Sequence, residues 1–135
     1  MTQTNNSAPR SRWRSVAGYA LTGLSALFLT FDTALKVLAL DPAVQATTEL
    51  GYPATAVRGI GVTQLVCLGL YLIPRSSVLG ALLLTGFLGG AVATHVRLES
   101  PLVSHTLFPV YVALFVWGGL YLREPRLREL LPLRR

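Results

Sequence analysis

The chain has 135 residues, a length that suits one compact domain and is short for two. Its net charge is +6, yet only 13% of its residues are charged, against about 25% in ordinary soluble domains. The basic residues are few and lie mainly near the ends, which argues against a nucleic-acid-binding domain. A single cysteine, Cys67, excludes an internal disulfide, a CxxC redox pair and a cysteine-based zinc site.

Four long apolar runs lie between a basic tail at residues 1–14 and another at 124–135. The runs cover about residues 16–40, 54–73, 77–96 and 105–122. Each is close to the ~20 residues that cross ~30 Å of hydrocarbon. Runs three and four have no polar stripe at helical period, although a soluble all-α domain, the alternative, would show one. We predict an all-α fold, with residues 15–123 as a four-helix bundle integral to the membrane.

The breaks between the runs are well marked. The first run ends at Asp41-Pro42, and the second begins after residues 51–53 and ends at Pro74. Ser100-Pro101 separates the third run from the fourth.

A basic start followed by an apolar run is also typical of a cleaved signal peptide. Asp32 and Lys36, however, interrupt the run before a clear cleavage site.

The distribution of basic residues predicts the orientation. Nine of the twelve Lys and Arg residues lie in the two tails, in the loop that contains Arg75, or at Arg123, directly before the second tail. The loop after the first run has none. By the positive-inside rule, both termini are cytoplasmic. Tyr71 and Tyr121 are then expected to anchor the cytoplasmic interface.

Small residues in the third run predict a helix contact. Gly86 and Gly90 have GxxxG spacing, and Ala93 continues the same face. Small residues let helix backbones approach closely in lipid. We expect this face to pack inside the bundle, with a homodimer contact or a flat ligand as alternatives.

Polar side chains retained within the apolar runs are the candidate site. A charge at the bilayer centre costs about 2.5–3.5 kcal/mol on insertion scales, so it needs a partner or a use. Estimated depths place most of the set in the outer leaflet, and we predict a pocket roofed by the 97–104 turn. The set comprises Asp32, Lys36, Arg58, Gln64, His95 and His105.

Two interpretations of this set remain open. One is an ion-paired network, Asp32 with Arg58 or Lys36, that only holds the helices together. The other is binding of a polar-headed lipophile such as a quinone. Proton transfer, a metal ion and haem between His95 and His105 are weaker alternatives, and we assign no metal ligands. The sequence contains no nucleophile–base constellation, so we assign no catalytic residue and expect no stand-alone enzyme.

Several stretches resemble the DoxX-like family of small four-helix bacterial membrane proteins, within the wider DoxX group. The resemblance covers roughly residues 16–132. It is carried by Leu50–Pro53, Ile60–Val62, Leu72–Arg75, Leu79–Ala81 and Gly89–His95.

The resemblance implies a multi-pass protein of the bacterial inner membrane. Some members of the wider group are subunits of membrane redox systems, including a thiosulfate:quinone oxidoreductase. We therefore expect an accessory component of a redox or stress system that holds a quinone-like amphiphile. Its expected partners are the lipid bilayer, a redox-partner protein and possible further copies of the chain, and not nucleic acid. A structural or assembly subunit and a small oligomeric transporter are the alternatives.

Overall fold

The computed structural model describes the backbone of residues 8–131 and the side chains of residues 12–131. Regular structure in this part of the chain is entirely helical, which confirms the predicted all-α fold. A π-helical turn, Leu102–Thr106, precedes the fifth helix. The α-helices are α1 Ala8–Val37, α2 Asp41–Glu49, α3 Ala56–Leu72, α4 Ser77–Arg97, α5 Phe108–Arg123 and α6 Pro125–Leu130.

The helices α1, α3, α4 and α5 correspond to the four apolar runs, but two short helices lie where we expected loop or tail. The first, α2, begins with Asp41 and Pro42, residue types that suit a first helical turn. The second, α6, lies in the predicted C-terminal tail. At the other end α1 begins at Ala8, inside the predicted N-terminal tail. The rest of the two tails, residues 1–7 and 132–135, lies outside the described residues.

Three segments have the length and apolar composition to cross a membrane. They are Arg12–Val37, Ser77–Arg97 and Leu102–Arg123, and α3 is a shorter apolar helix. Large apolar side chains such as Leu27, Leu82 and Leu114 are exposed on the outside of these segments. A broad apolar exterior of this kind suits contact with lipid.

The four long helices pack in a closed ring. Helix α1 packs against α3 and α5, and α4 packs against the same two helices. Among the most deeply buried side chains are Leu29, Tyr71, Leu84, Val116 and Leu120, which come from all four helices.

Glycines permit the closest helix crossings. A Cβ atom at Gly80 of α4 would overlap the backbone of Tyr71 in α3. A Cβ atom at Gly119 of α5 would lie 2.8 Å from the backbone nitrogen of Thr22 in α1. Helix backbones in contact at these points gain dispersion contacts that a larger side chain would prevent. The glycines that bring helices together are therefore not those that the GxxxG spacing indicated.

Tyr71 is fully buried, so the expectation that it anchors the membrane interface is wrong. Its hydroxyl group donates a hydrogen bond to the carbonyl oxygen of Val116 in α5, at 3.0 Å. A second bond, at 3.4 Å, runs to the hydroxyl of Thr22 in α1. Tyr71 thus connects α3 to two other helices through the interior, because its hydroxyl group finds hydrogen-bond partners there.

We expect Gly80→Ala to destabilise the fold by at least about 1–3 kcal/mol, since backbone atoms of α3 cannot move aside easily. Gly86→Ala, in the same helix, is the matched control because its added methyl group meets open space. That variant should be neutral or slightly stabilising, since alanine favours helix. Thermal unfolding followed by circular dichroism in detergent micelles measures both. Equal losses in the two variants would contradict the assigned crossing.

Candidate functional site

Three polar side chains, Asp32, Lys36 and Gln64, form a hydrogen-bonded triad between α1 and α3. The ammonium group of Lys36 donates to Oδ2 of Asp32, at 2.5 Å, and to Oε1 of Gln64, at 3.1 Å. The Gln64 amide closes the triad by donating from Nε2 to the same Asp32 oxygen, at 2.8 Å. Two opposite charges are thereby compensated within the apolar helices.

The local sequence explains how the triad forms. Asp32 and Lys36 are four residues apart and share one face of α1. Gly61 lies one turn before Gln64 on α3, and a Cβ atom there would come within 2.8 Å of the Cβ atom of Lys36. The missing side chain lets α1 approach α3 closely enough for Gln64, which is completely buried, to reach both charged groups.

The triad forms part of the wall of a cavity of about 470 Å³. The remaining wall is mostly apolar, with aromatic rings from α1, α4 and the start of α5, namely Phe28, Phe87 and Phe108. The rings of Phe28 and Phe108 meet edge to face, with centroids 5.3 Å apart. The Lys36 ammonium lies 5.9 Å from the centroid of Phe87, within the range of a cation–π interaction.

A pair of histidines forms another polar part of the same wall. His95 lies near the end of α4 and His105 in the π-helical turn, and their ring centroids are 6.0 Å apart. The Nδ1 atom of His95 hydrogen-bonds the hydroxyl of Ser100, at 3.1 Å, and that of His105 bonds Ser104, at 2.7 Å. A hydroxyl group can donate or accept, so these serines accommodate either tautomer of each ring.

Helix α2 also lines the cavity, through residues between Pro42 and Leu50. The segment after α2 is hydrogen-bonded to the end of α4. Arg97 donates to the carbonyl oxygen of Leu50, at 3.1 Å, and the hydroxyls of Tyr52 and Thr94 are 2.8 Å apart. Sequence reasoning missed α2 because residues 41–49 are too few and too polar to be recognised as a membrane helix. The sequence does contain one sign of this helix. Ala43 and Thr47 are four residues apart, which places them on one face of a helix, and both are buried in the structure.

Five of the six residues proposed from the sequence line this one cavity: Asp32, Lys36, Gln64, His95 and His105. The sixth, Arg58, is exposed on α3 and does not line it. Of the two pairings considered for Asp32, the structure forms the one with Lys36. The depth estimate considered only the position of Arg58 along α3 and ignored the direction of its side chain around the helix axis. Val57 and Gly61 point inward, and the adjacent position points about 100° away at 3.6 residues per turn.

The face of Gly86, Gly90 and Ala93 is exposed, and a Cβ atom at either glycine would meet nothing within 4 Å. The expectation that this face packs inside the bundle is therefore wrong. Contact with another chain or with a flat ligand stays a prediction. Within residues 12–131, no three His, Cys, Asp or Glu side chains lie close enough together to hold a metal ion.

A family model describing the DoxX-like family matches residues 20–119, well over half of the chain. The chain belongs to the DoxX-like family. The matched region contains every residue of the triad, the histidine pair and α2. Together with its apolar helices of spanning length, this membership makes the chain a membrane protein with transmembrane helices, as predicted. Neither a curated protein nor a solved structure gives a match.

We expect Lys36→Met to destabilise this DoxX-like protein by about 1–3 kcal/mol, because Asp32 then loses its cationic hydrogen-bond partner. The double variant Asp32→Asn, Lys36→Met should recover most of that loss, since no uncompensated charge remains. Arg58→Met, which removes an exposed cation from the adjacent helix, is the control and should be neutral. Denaturation in mixed micelles measures all three. Equal effects of Lys36→Met and Arg58→Met would rule out a stabilising role for the triad.

Proposed function

We propose that the chain is a multi-pass protein of the bacterial inner membrane, a four-helix bundle with both termini in the cytoplasm. The ring of four long helices supports the bundle. Helix α3, with 17 residues, spans about 26 Å at 1.5 Å per residue, near the lower limit for crossing the hydrocarbon. The Arg residues of the tails and Arg75 favour the cytoplasmic side for the end opposite the cavity.

This orientation predicts that Thr48, exposed on α2, faces the outside of the cell. In a Cys67→Ser background, Thr48→Cys should react with a membrane-impermeant maleimide in intact cells. Arg126→Cys, also exposed, should react only after the cells are permeabilised. The opposite labelling pattern would show that both termini lie outside the cell, which contradicts the proposed topology.

Within this arrangement, we propose that the cavity holds a small amphiphile such as a quinone. The observation that carries this proposal is a mostly apolar cavity whose wall contains two separate polar clusters, the triad and the histidine pair, with Thr47 and Glu49 of α2 also in the wall. Ligand pockets are commonly of this size, predominantly apolar, with a few convergent polar groups that orient the ligand. A quinone has the matching form, a flat apolar ring with a carbonyl oxygen on opposite sides.

Lys36 supplies a hydrogen-bond donor for one carbonyl oxygen. An ammonium group has three N–H donors, and the triad uses two of them, for Asp32 and Gln64. The third is left for an acceptor in the cavity. Asp32 balances the charge of Lys36, so the ligand itself can be neutral.

The histidine pair supplies the second polar contact. Because each Nδ1 atom already has a serine hydroxyl as partner, Nε2 is the ring nitrogen left for a ligand. An imidazole nitrogen can donate or accept a hydrogen bond, so this ring nitrogen can pair with a carbonyl or a hydroxyl oxygen of the ligand. The source of electrons would be a partner protein, because the chain has a single cysteine and no thiol pair. The proposed role is therefore that of an accessory component of a membrane redox or stress system.

A second candidate is a structural or assembly subunit. It is favoured by the fact that Asp32, Lys36 and Gln64 satisfy one another without a ligand. Hydrogen bonds between membrane helices are reason enough to retain such residues. This candidate predicts that substitutions in the histidine pair leave both stability and assembly unchanged.

Native mass spectrometry of the chain released from mild detergent micelles distinguishes the two functions. With ubiquinone-1 added as the probe, we expect one retained quinone per chain. The double variant His95→Ala, His105→Ala should weaken retention about thirtyfold through the loss of two hydrogen bonds worth ~1 kcal/mol each. Arg58→Ala is the control, because its side chain lies outside the cavity wall.

Two results would contradict the ligand-binding proposal. One is a folded chain without a quinone adduct at any probe concentration. The other is equal retention by the histidine double variant and the wild-type chain. Either result would favour the assembly subunit, in particular if a second protein is retained instead.

A further inference from the structure

The cavity is open on one side of the bundle. Six of the residues in its wall are also exposed, namely Phe28, Pro42, Ala46, Glu49, His105 and Phe108. They belong to α1, α2, the π-helical turn and the start of α5. The wall residues of α3 and α4 are buried or half-buried, as Gln64, Leu88 and His95 show. The opening therefore lies on the side of α1 and α5.

The packing of the elements explains this position. Helix α2 contacts α1 and α3, whereas the π-helical turn contacts α4 and α5. Among the elements of residues 8–131, the π-helical turn contacts neither α2 nor α1. The close crossing of α1 and α5, at Thr22 and Gly119, lies towards the other end of both helices. The two elements that cover the cavity thus leave a gap between them, above the line where α1 and α5 meet.

The edge of the opening nearest the bundle centre lies within the membrane-spanning segments. It is formed by the rings of Phe28 and Phe108, which meet edge to face. Phe28 lies nine residues before Val37, the end of its spanning segment, which is about 14 Å along the helix. One turn beyond each ring, Phe31 and Tyr111 are exposed as well. This edge therefore faces hydrocarbon, whereas Glu49 and His105 border the opening nearer the outer surface.

The size of the cavity limits what it can enclose. A volume of about 470 Å³ is typical of sites for a drug-sized ligand, so it can hold a head group but not a long hydrocarbon tail. A tail that leaves the cavity avoids water only if it leaves into lipid. The aromatic edge at Phe28 and Phe108 provides such an exit.

We propose that the ligand is a long-tailed amphiphile that enters the cavity sideways from the outer leaflet. Its head group lies between the triad and the histidine pair, and its tail passes Phe28 and Phe108 into the lipid. The inference rests on the proposed function of the cavity as a ligand site. It adds the class of ligand, a membrane lipid with a polar head, and the route by which that ligand enters.

Native mass spectrometry with two quinones of different tail length tests the opening. Ubiquinone-1 and ubiquinone-10 have the same head group, but the tail of ubiquinone-10 is too long for the cavity. We expect one retained ubiquinone-10 per chain, which excess ubiquinone-1 displaces. The double variant His95→Ala, His105→Ala should weaken retention of both quinones by the same factor.

The outcomes separate this inference from the function on which it rests. Retention of ubiquinone-1 alone would overturn the sideways opening and leave the proposed function in place. The same conclusion would follow if ubiquinone-10 were retained but not displaced by ubiquinone-1, because it would then bind elsewhere. Retention of neither quinone would overturn both proposals.

Photocrosslinking locates the tail. The photoreactive p-benzoylphenylalanine replaces Phe28 or, as the matched control, Leu82, which is exposed on α4 outside the cavity wall. On irradiation its ketone adds across a nearby C–H bond, which forms a C–C bond and turns the carbonyl group into a hydroxyl. We expect several-fold more attachment of ubiquinone-10 at position 28, and excess ubiquinone-1 should remove the difference. Equal attachment in two variants that fold normally by circular dichroism would overturn the route, because it would reflect general contact with the micelle.

Discussion

The cost of placing Asp32 and Lys36 in an apolar helix determines how α1 and α3 must meet. The two charges pair with each other, and Gln64 completes their hydrogen bonds from the neighbouring helix. This requires one relative position of the two helices, with Gly61 against the backbone of Lys36. Since lipid gives little drive for helix association, a polar contact of this kind specifies the position that general apolar packing leaves open.

The four long helices approach closely at some crossings and leave open space at one end. Gly80 and Gly119 bring α4 and α5 against the other long helices, and the core of leucine and valine side chains fills the volume between them. At the other end, α2 and the π-helical turn cover the cavity instead of filling it. A cavity in a packed interior forfeits dispersion contacts, and here it also has polar groups in its wall. A ligand in this cavity would restore the lost dispersion contacts and could also hydrogen-bond the polar groups.

The two ends of the molecule differ in how their charges are balanced. Around the cavity, the charged and polar side chains of the triad satisfy one another. At the end with α6, guanidinium donors remain without an acceptor from residues 12–131. The triad is therefore complete without a ligand, whereas buried guanidinium atoms at the other end keep unmade hydrogen bonds.

Composition and apolar run length were enough to determine the helical class, the membrane environment and the approximate limits of the four long helices. The same reasoning named Asp32, Lys36, Gln64, His95 and His105, because polar residues in apolar runs are conspicuous. It was wrong for Arg58 and for the packing of Gly86, Gly90 and Ala93, since a residue's depth along a helix does not give its direction around the axis. The contact of Gln64 with the Asp32–Lys36 pair and the glycines that permit close helix contact were decided by tertiary structure alone. Each of these depends on which helices become neighbours, and residues as far apart as Lys36 and Gln64 carry no local signal of that choice.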